Sequence, residues 1–222
     1  MHFTNSVCLI VFVHFGNETF IVLTLFISSY ADFGFTGQNG IINAHNTLRS
    51  KIAKGTYVAR GTQKPSGTNI LKMKWDTTVA ASAQSYANRC PTGHSGTGGL
   101  GENLYWYWTS GSLGDLNQYG AAASAAWEKE FQDYGWSSNL LTMDLFNTGI
   151  GHATQMAWAK SNLIGCGVKD CGRDTNGLNK VTVVCQYKPQ GNYRNQYIYL
   201  SGQTCSACPS GYSCERSTGL CV

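Results

Sequence analysis

Four cysteines crowd the C-terminal part of the chain: Cys205, Cys208, Cys214 and Cys221 have Pro, Gly and Ser between them. Thiols at this spacing can bind zinc as thiolates or pair as disulfides. The segment has almost nothing apolar to bury, and so short a module needs cross-links to fold. We predict disulfides, because a zinc site would require reduced thiolates in an oxidising compartment outside the cell.

Export is predicted from the N-terminal composition. Residues 1–31 contain no Lys or Arg and a single acid, Glu18, and residues 20–27 are nearly all apolar. This apolar stretch is much shorter than the roughly 20 residues that cross a bilayer as a helix. Because Ser29 and Ala31 suit signal peptidase, we predict a signal peptide over residues 1–31, a secreted extracellular protein and no stable membrane insertion. A start further downstream, or a leader retained as an anchor, is the alternative.

Cysteine number and charge narrow the class of protein. Cleavage removes Cys8 and leaves eight of nine cysteines, an even number that indicates four disulfides without specifying their connectivity. Loss of Glu18 reduces the 12 acidic residues to 11, against 16 basic ones, so the mature charge is +5. The Lys and Arg residues are scattered and form no stripe along which a phosphate backbone could lie, which argues against nucleic-acid binding.

Two familiar catalytic or cofactor patterns are excluded. Gly96, Gly98 and Gly101 satisfy GxGxxG, but a dinucleotide site needs this pattern between a strand and a helix. Here a predicted helix precedes it and an aromatic run, residues 104–108, follows it. The chain contains no GxSxG elbow, and its mature cysteines are predicted to pair, so a Ser or Cys nucleophile has little support.

Hydrophobic periodicity predicts the elements that position any site. Apolar or aromatic residues recur at spacings of 4, 3 and 4 in two segments, each marking one helical face. Asp76 and Thr148 are predicted N-caps. Helices early and strands late favour an α+β fold over a parallel doubly wound sheet. The predicted elements are helices over residues 41–52, 76–90, 121–134 and 148–159, and strands over residues 164–169 and 181–188.

Individual polar residues on these predicted faces need partners. Glu130 follows Trp127 by three residues, so its carboxylate lies against aromatic rings and must either be paired or stay neutral. His45, on the apolar face of the first helix, is predicted to be a hydrogen-bonded core residue without a functional role. Trp106 and Trp108 either line a hydrophobic ligand cleft or, as is commoner, belong to the core.

Several segments together resemble one family. Residues 151–158 (GHATQMAW) resemble its first signature and residues 185–193 (CQYKPQGNY) its second. Residues 101–105 (GENLY) match its GEN motif, and two helix patterns match as well, at His45, Asn46 and Arg49 and at Trp127, Glu130 and Tyr134. Taken together, these motifs cover residues 38–193. The chain thus resembles the CAP superfamily (cysteine-rich secretory protein, antigen 5 and pathogenesis-related 1), most closely the venom allergen-like and activation-associated secreted proteins of nematodes.

The resemblance implies a fold and a site. The implied fold is a three-layer αβα sandwich with a small antiparallel sheet, formed by a CAP domain over residues 32–200 and a hinge-like tail over residues 201–222. It implies a cleft lined by two His and two Glu, which map to His94, Glu102, Glu130 and His152. The implied disulfides are Cys90–Cys171, Cys166–Cys185, Cys205–Cys214 and Cys208–Cys221.

Two imidazoles beside two carboxylates suit a weakly held divalent metal such as Zn(II). His152 is expected in the first turn of its helix, where the helix dipole keeps an imidazole neutral and able to bind metal. Two nitrogens leave at least two coordination positions open. The alternative is a hydrogen-bonded polar network without metal. Ala153 and Ala157 stand where the family carries larger residues, which predicts a more open wall beside His152.

The leading functional hypothesis is a non-catalytic extracellular binding protein that engages a sterol, a fatty acid or a host protein, as the resemblance suggests. The rival hypothesis is a metal-assisted hydrolase, in which Glu102 or Glu130 is the base and His94 and His152 hold the metal. The sequence does not decide whether the protein is an enzyme. A third hypothesis gives the tail a role in positioning a partner.

Overall fold

The computed structural model describes residues 8–15 and 19–26 by their backbone and residues 32–222 with side chains. The first two stretches are antiparallel strands, β1 (Cys8–Phe15) and β2 (Thr19–Phe26), within a compact unit of residues Met1–Asp32. The predicted cleavage site after Ala31 lies outside the described residues. Residues Phe33–Val222 form the second unit. No helix among the described residues is long and apolar enough to cross a membrane.

Five helices build the second unit. The first contains the predicted apolar face, with Ile41, His45, Leu48 and Ile52 all buried, and its bounds extend beyond the predicted ones at both ends. It is followed by Gly55, whose φ of +66° is the left-handed conformation that terminates helices. The helices are α1 (Phe35–Ala53), α2 (Thr77–Ala87), α3 (Gln118–Asp133), α4 (Met143–Asn147) and α5 (Gly151–Ala157).

One predicted helix cap is confirmed and the other is wrong. The Asp76 carboxylate accepts a hydrogen bond from the Val79 amide at 2.8 Å, as expected for the N-cap of α2. Thr148 instead follows the C-terminal end of α4, and its hydroxyl donates to the Leu145 carbonyl. Helix α5 begins at Gly151 without a local side-chain cap, because a carboxylate from another helix satisfies its first amides, as described below.

The central sheet has the strand order β5-β7-β8-β6. Its three long strands are antiparallel, and β8 lies between the other two. The predicted antiparallel sheet is confirmed for these strands, and a two-residue strand, β5, extends it by pairing with β7 in parallel. The strands of this second unit are β3 (Val58–Ala59), β4 (Thr62–Gln63), β5 (Lys74–Trp75), β6 (Gly101–Thr109), β7 (Leu163–Arg173), β8 (Asn179–Lys188), β9 (Cys214–Glu215) and β10 (Leu220–Cys221).

The predicted αβα layering is confirmed. Every residue of β8 from 181 to 187 is buried, because helices cover both faces of the sheet. The main core contains α1, α3 and α5 residues, and a smaller one places Ala83 and Ala87 of α2 against Leu104 and Val184. Helix α2 lies very close to β7, since a Cβ added at Gly167 would be 2.3 Å from Cα of Gln84.

Residues 32–222 contain four disulfides, with the same pairs that the resemblance implies: Cys90–Cys171, Cys166–Cys185, Cys205–Cys214 and Cys208–Cys221. The last two lie in the tail, which packs onto the rest of its unit. Leu220 is fully buried, and the Cys221 amide donates to the Ile70 carbonyl at 2.8 Å. The Ser50 hydroxyl on α1 donates to the Thr218 carbonyl at 2.7 Å. These contacts attach the tail to the rest of its unit.

Candidate functional site

The four side chains His94, Glu102, Glu130 and His152 line one cleft of about 260 Å³. They come from four places in the chain: the loop after α2, strand β6, helix α3 and the first turn of α5. They form two His–Glu pairs. Asn103, Asn192 and Phe146 complete most of the wall.

The first pair joins a loop to the sheet. Nδ1 of His94 lies 3.0 Å from Oε1 of Glu102, which also accepts a hydrogen bond from the Ser95 amide at 2.7 Å. The other oxygen of Glu102 accepts from the Gln186 amide group at 2.9 Å. The Glu102 side chain is 7% exposed, whereas that of His94 is 60% exposed. A buried, multiply bonded carboxylate thus fixes one nitrogen of an imidazole that solvent can reach.

The second pair joins two helices. Nδ1 of His152 lies 2.5 Å from Oε1 of Glu130, and Oε2 accepts from the backbone amides of His152 and Ala153, each at 3.0 Å. Glu130 therefore provides the cap that α5 lacks, and a negative charge is favourable at a helix N-terminus. This is the partner that the sequence required for Glu130. The Trp127 ring stacks on the His152 ring, with centroids 6.1 Å apart.

Buried hydrogen bonds hold the backbone of His152. The Asn103 side-chain amide donates to the His152 carbonyl and to the Tyr187 hydroxyl, each at 3.1 Å. The Tyr187 hydroxyl also contacts Nε2 of His45, whose Nδ1 donates to the Ile41 carbonyl at 2.8 Å. Burial lowers the pKa of His45 to about 4, so this imidazole is neutral and its Nε2 accepts a hydrogen bond from the Tyr187 hydroxyl. His45 is a hydrogen-bonded core residue, as predicted.

Two positioning residues were not identified from the sequence. Asn192 accepts from the Thr154 hydroxyl at 2.8 Å and donates to the Gly151 carbonyl at 2.7 Å, so it fixes the start of α5. Gln186 is fully buried and bonded to Glu102. Both lie in the segment that resembles the second signature. An amide side chain within the mostly apolar middle of β8 was the available signal for Gln186.

One expectation about the cleft wall is corrected, and the two alternatives left open for Trp106 and Trp108 are distinguished. Ala153 and Ala157 are fully buried and do not line the cleft, so the small side chains do not open it. The wall beside His152 includes the ring of Phe146, which would lie 3.0 Å from a Cβ placed at Gly151. Trp106 and Trp108 are also absent from this cleft. The Trp106 indole donates to the Pro91 carbonyl, and Trp108 is 43% exposed beside Lys180.

The pairing determines which ring nitrogen is available. A carboxylate accepts at Nδ1 of both His94 and His152, so in a neutral ring that nitrogen carries the hydrogen and Nε2 carries the lone pair. Among the described residues neither Nε2 has a hydrogen-bond partner. A histidine oriented by a carboxylate at one nitrogen is typical of metal ligands. The donor set therefore suits a divalent metal with two protein nitrogens.

Among the described residues, the cleft contains no group of three His, Cys, Asp or Glu side chains whose ligand atoms lie close enough together to hold a metal ion. Ligand atoms of three residues do lie within 4.8 Å of one another in the tail, namely the sulfurs of Cys205, Cys208 and Cys221. These sulfurs are all in disulfides and cannot act as thiolates, which excludes zinc there in this oxidised state.

Acid sensitivity is expected from Glu102. Burial alone would raise its pKa, but hydrogen bonds from His94, Ser95 and Gln186 outweigh burial and lower the pKa from 4.5 to about 2. A carboxyl with a lower pKa in the folded state stabilises the fold above its unfolded pKa, and this stabilisation disappears as the pH falls towards 2. We expect about 2 kcal/mol of unfolding free energy to be lost in this way, after allowing for partial solvation.

Urea unfolding of the wild type and of Glu102→Gln, with a chelator present, checks this prediction. The variant should be less stable at pH 6 and should lose less stability between pH 5 and pH 2.5, because it has no carboxyl to titrate at this position. Parallel acid profiles for the two proteins would contradict it.

Comparisons with known proteins give relatives over most of the chain. A family model, CAP (Cysteine-rich secretory protein family), matches residues 42–187. The Ancylostoma secreted protein of Ancylostoma caninum is 40% identical over 192 residues, which are 83% of this chain and 43% of that protein. Cysteine-rich secretory protein 3 of Equus caballus is 33% identical over 219 residues, or 91% of this chain and 78% of that protein. The chain thus spans less than half of the Ancylostoma relative.

Solved structures agree with these relatives. A crystal structure of NaASP2 with Zn²⁺ has a TM-score of 0.77 and 34% identity, covering 86% of this chain and 97% of that one. Na-ASP-1 also has a TM-score of 0.77, with 38% identity, and covers 87% of this chain and 49% of that one. The segment matched by the family model, residues 42–187, includes all four cleft residues, His94, Glu102, Glu130 and His152. On fold, sequence and disulfides, the chain belongs to the CAP (cysteine-rich secretory protein) family.

Proposed function

We propose that this protein is a secreted, extracellular binding protein whose cleft reversibly holds one divalent metal ion, zinc being the leading candidate. His94 and His152 would provide the protein ligands, and Glu102 and Glu130 would orient them. The observation that carries this proposal is the engagement of both Nδ1 atoms by carboxylates, at 3.0 and 2.5 Å. The structure of the relative NaASP2 with Zn²⁺ supports it.

The volume and the two nitrogen ligands of the cleft favour a metal ion and a polar group of a protein partner as its occupants. They do not favour a lipid. Its volume of about 260 Å³ is below the roughly 300–1,000 Å³ of pockets that enclose drug-sized molecules. Two protein ligands leave coordination positions that a side chain of a host protein can fill. Binding of a sterol or a fatty acid, which the sequence also suggested, has no support from this cleft.

Calorimetric titration of the chelator-treated secreted protein with Zn²⁺ tests the proposal. We expect one weak site in the wild type, and no measurable binding after the double substitution His94→Ala and His152→Ala, because both nitrogen ligands are lost. Glu102→Gln and Glu130→Gln each keep the side-chain shape and should weaken Zn²⁺ binding by about 10- to 100-fold, as changes to ligand-orienting carboxylates do.

A matched control is Glu128→Gln, which changes a glutamate of the same helix as Glu130 that does not line the cleft. It should leave Zn²⁺ affinity unchanged. Equal Zn²⁺ affinity in the wild type and the folded double His variant would refute the proposed site. Circular dichroism in the near ultraviolet confirms that each variant is folded.

The second candidate function is a metal-assisted hydrolase that uses the same residues. It is favoured by the position of a carboxylate beside each imidazole, since Glu102 or Glu130 could then accept a proton during hydrolysis. A metal bound there would polarise a substrate carbonyl as a Lewis acid. Hydrolysis of an ester or peptide that persists in the double His variant would eliminate this mechanism.

A further inference from the structure

A second pocket, of about 380 Å³, lies between strand β6 and the start of helix α3. Three tyrosines, Tyr105, Tyr107 and Tyr119, form its aromatic walls. It shares no residue with the His–Glu cleft, and its volume is within the range of pockets that bind small molecules. This pocket is therefore a separate candidate site, to which the proposed function gives no role.

The tyrosines of this pocket differ in how deeply they are buried. Tyr105 and Tyr107 are two residues apart and lie on the same face of β6, and Tyr107 is 40% exposed. Tyr119 is buried, and its hydroxyl donates to the Leu113 carbonyl at 3.0 Å. The centroids of the Tyr107 and Tyr119 rings are 5.5 Å apart, with planes inclined by 42°. An accessible ring thus stands beside a fixed one and offers an apolar face to a ligand.

Polar groups with unused hydrogen-bonding capacity surround these rings. Oγ1 of Thr109 accepts from the Gly111 amide at 3.1 Å, and Oγ of Ser112 accepts from the Gly114 amide at 3.2 Å. Both hydroxyls can still donate. The Gln118 amide nitrogen donates to the Leu113 carbonyl, which leaves its amide oxygen as an acceptor. Within residues 32–222, the hydroxyls of Tyr105 and Tyr107 have no hydrogen-bond partner.

The pocket lining carries no charge at neutral pH. It contains no Lys, Arg, His, Asp or Glu, and burial raises the pKa of both Tyr105 and Tyr119, which keeps these phenols neutral. An ionic ligand would therefore find no counter-charge in the lining. A lipid chain would leave several hydroxyls without partners at a cost in free energy, since only Leu113 and Ala122 are aliphatic.

We propose that this pocket binds a neutral saccharide, one or two sugar units of a glycan. A pyranose ring has an apolar face of C–H groups that packs on aromatic rings and a rim of hydroxyls that both donate and accept. Tyr105, Tyr107 and Tyr119 provide the rings, and Thr109, Ser112 and Gln118 provide the matching donors and acceptor.

Saturation-transfer difference NMR on the full secreted protein tests this inference, with N-acetylglucosamine, lactose and methyl α-mannoside as separate probes at millimolar concentration. At least one probe should give a signal on its ring C–H protons. Tyr107→Ala should weaken that probe by about tenfold, since stacking on an aromatic ring contributes at that level. Tyr107→Phe keeps the ring and should restore most of the affinity.

Tyr197→Ala, which removes another exposed tyrosine that lines neither this pocket nor the His–Glu cleft, is the matched control and should have no effect. The Zn²⁺ affinity should be the same in all three variants, so failure here is distinguishable from failure of the proposed metal site. Absence of binding by all three probes would overturn the inference. Binding that Tyr107→Ala leaves unchanged, or displacement of the sugar by oleate at this pocket, would also overturn it.

Discussion

Substituting Arg49 by Met should destabilise the protein by about 4 kcal/mol, a larger effect than that of most single substitutions in a core. The Arg49 side chain is fully buried and makes six hydrogen bonds to backbone carbonyls, and no carboxylate within residues 32–222 pairs with it. Its acceptors are the carbonyls of Leu71, Met156, Trp158, Ala159 and Ser161.

The physical reason is the loss of partners for buried acceptors. Each carbonyl left without a donor costs roughly 1–3 kcal/mol, and the desolvation of the guanidinium that Met avoids offsets only part of the sum. Burial lowers the pKa of Arg49 to about 9, so the group stays charged at neutral pH. One side chain thus connects α1 to the segment just before β5 and to the end of α5, the helix that carries His152.

Urea unfolding at pH 7 measures this effect. The stability of Arg49→Lys should be intermediate, because an ammonium has three N–H donors whereas a guanidinium has about five. Arg89→Met, at an exposed position, is the control and should change stability by less than about 0.5 kcal/mol. A loss below about 1 kcal/mol in Arg49→Met would show that water or rearranged backbone satisfies the carbonyls.

The second large effect is expected from removal of the Cys90–Cys171 disulfide by Cys90→Ser and Cys171→Ser. This bond closes a loop with a sequence separation of 81, so its loss greatly increases the freedom of the unfolded chain. We expect a loss of about 4 kcal/mol, against about 2–3 kcal/mol for the tail pair Cys205–Cys214, whose separation is 9.

The comparison of the two disulfides separates chain entropy from local packing. Both double variants are unfolded in urea under identical conditions, and the tail variant is the control. Since Cys90 directly precedes the loop of His94, its variant should also bind Zn²⁺ more weakly, whereas the tail variant should not. A larger loss of stability in the tail variant would contradict the loop-length explanation.

The helix of Asp76 and the apolar faces of α1 and β8 were predictable because their causes are local. An N-cap carboxylate reaches an amide three residues ahead, and apolar periodicity depends on neighbours within two turns. The strand β6 was missed, since a run of aromatic residues has no alternation of polarity and its pairing partner, β8, begins 70 residues later at Asn179. The strand β5 was missed because two residues are too few to show a period.

The candidate site was also predictable only in part. Its four residue types and their order came from the resemblance of motifs, and the need of Glu130 for a partner followed from the cost of burying a lone carboxylate. The sequence did not show that Glu130 caps α5 in place of Thr148, nor that both imidazoles are bound at Nδ1. It also did not show that Gln186 holds Glu102.

By itself, the sequence determined the family, the number of paired cysteines and the helices whose caps and faces are local in the chain. Tertiary structure alone decided which nitrogen of each histidine is available, which residues wall the cleft, and that three tyrosines form a second pocket. The reason is that a hydrogen bond between residues distant in the chain depends on how elements pack. Periodicity and capping report only the preferences of near neighbours.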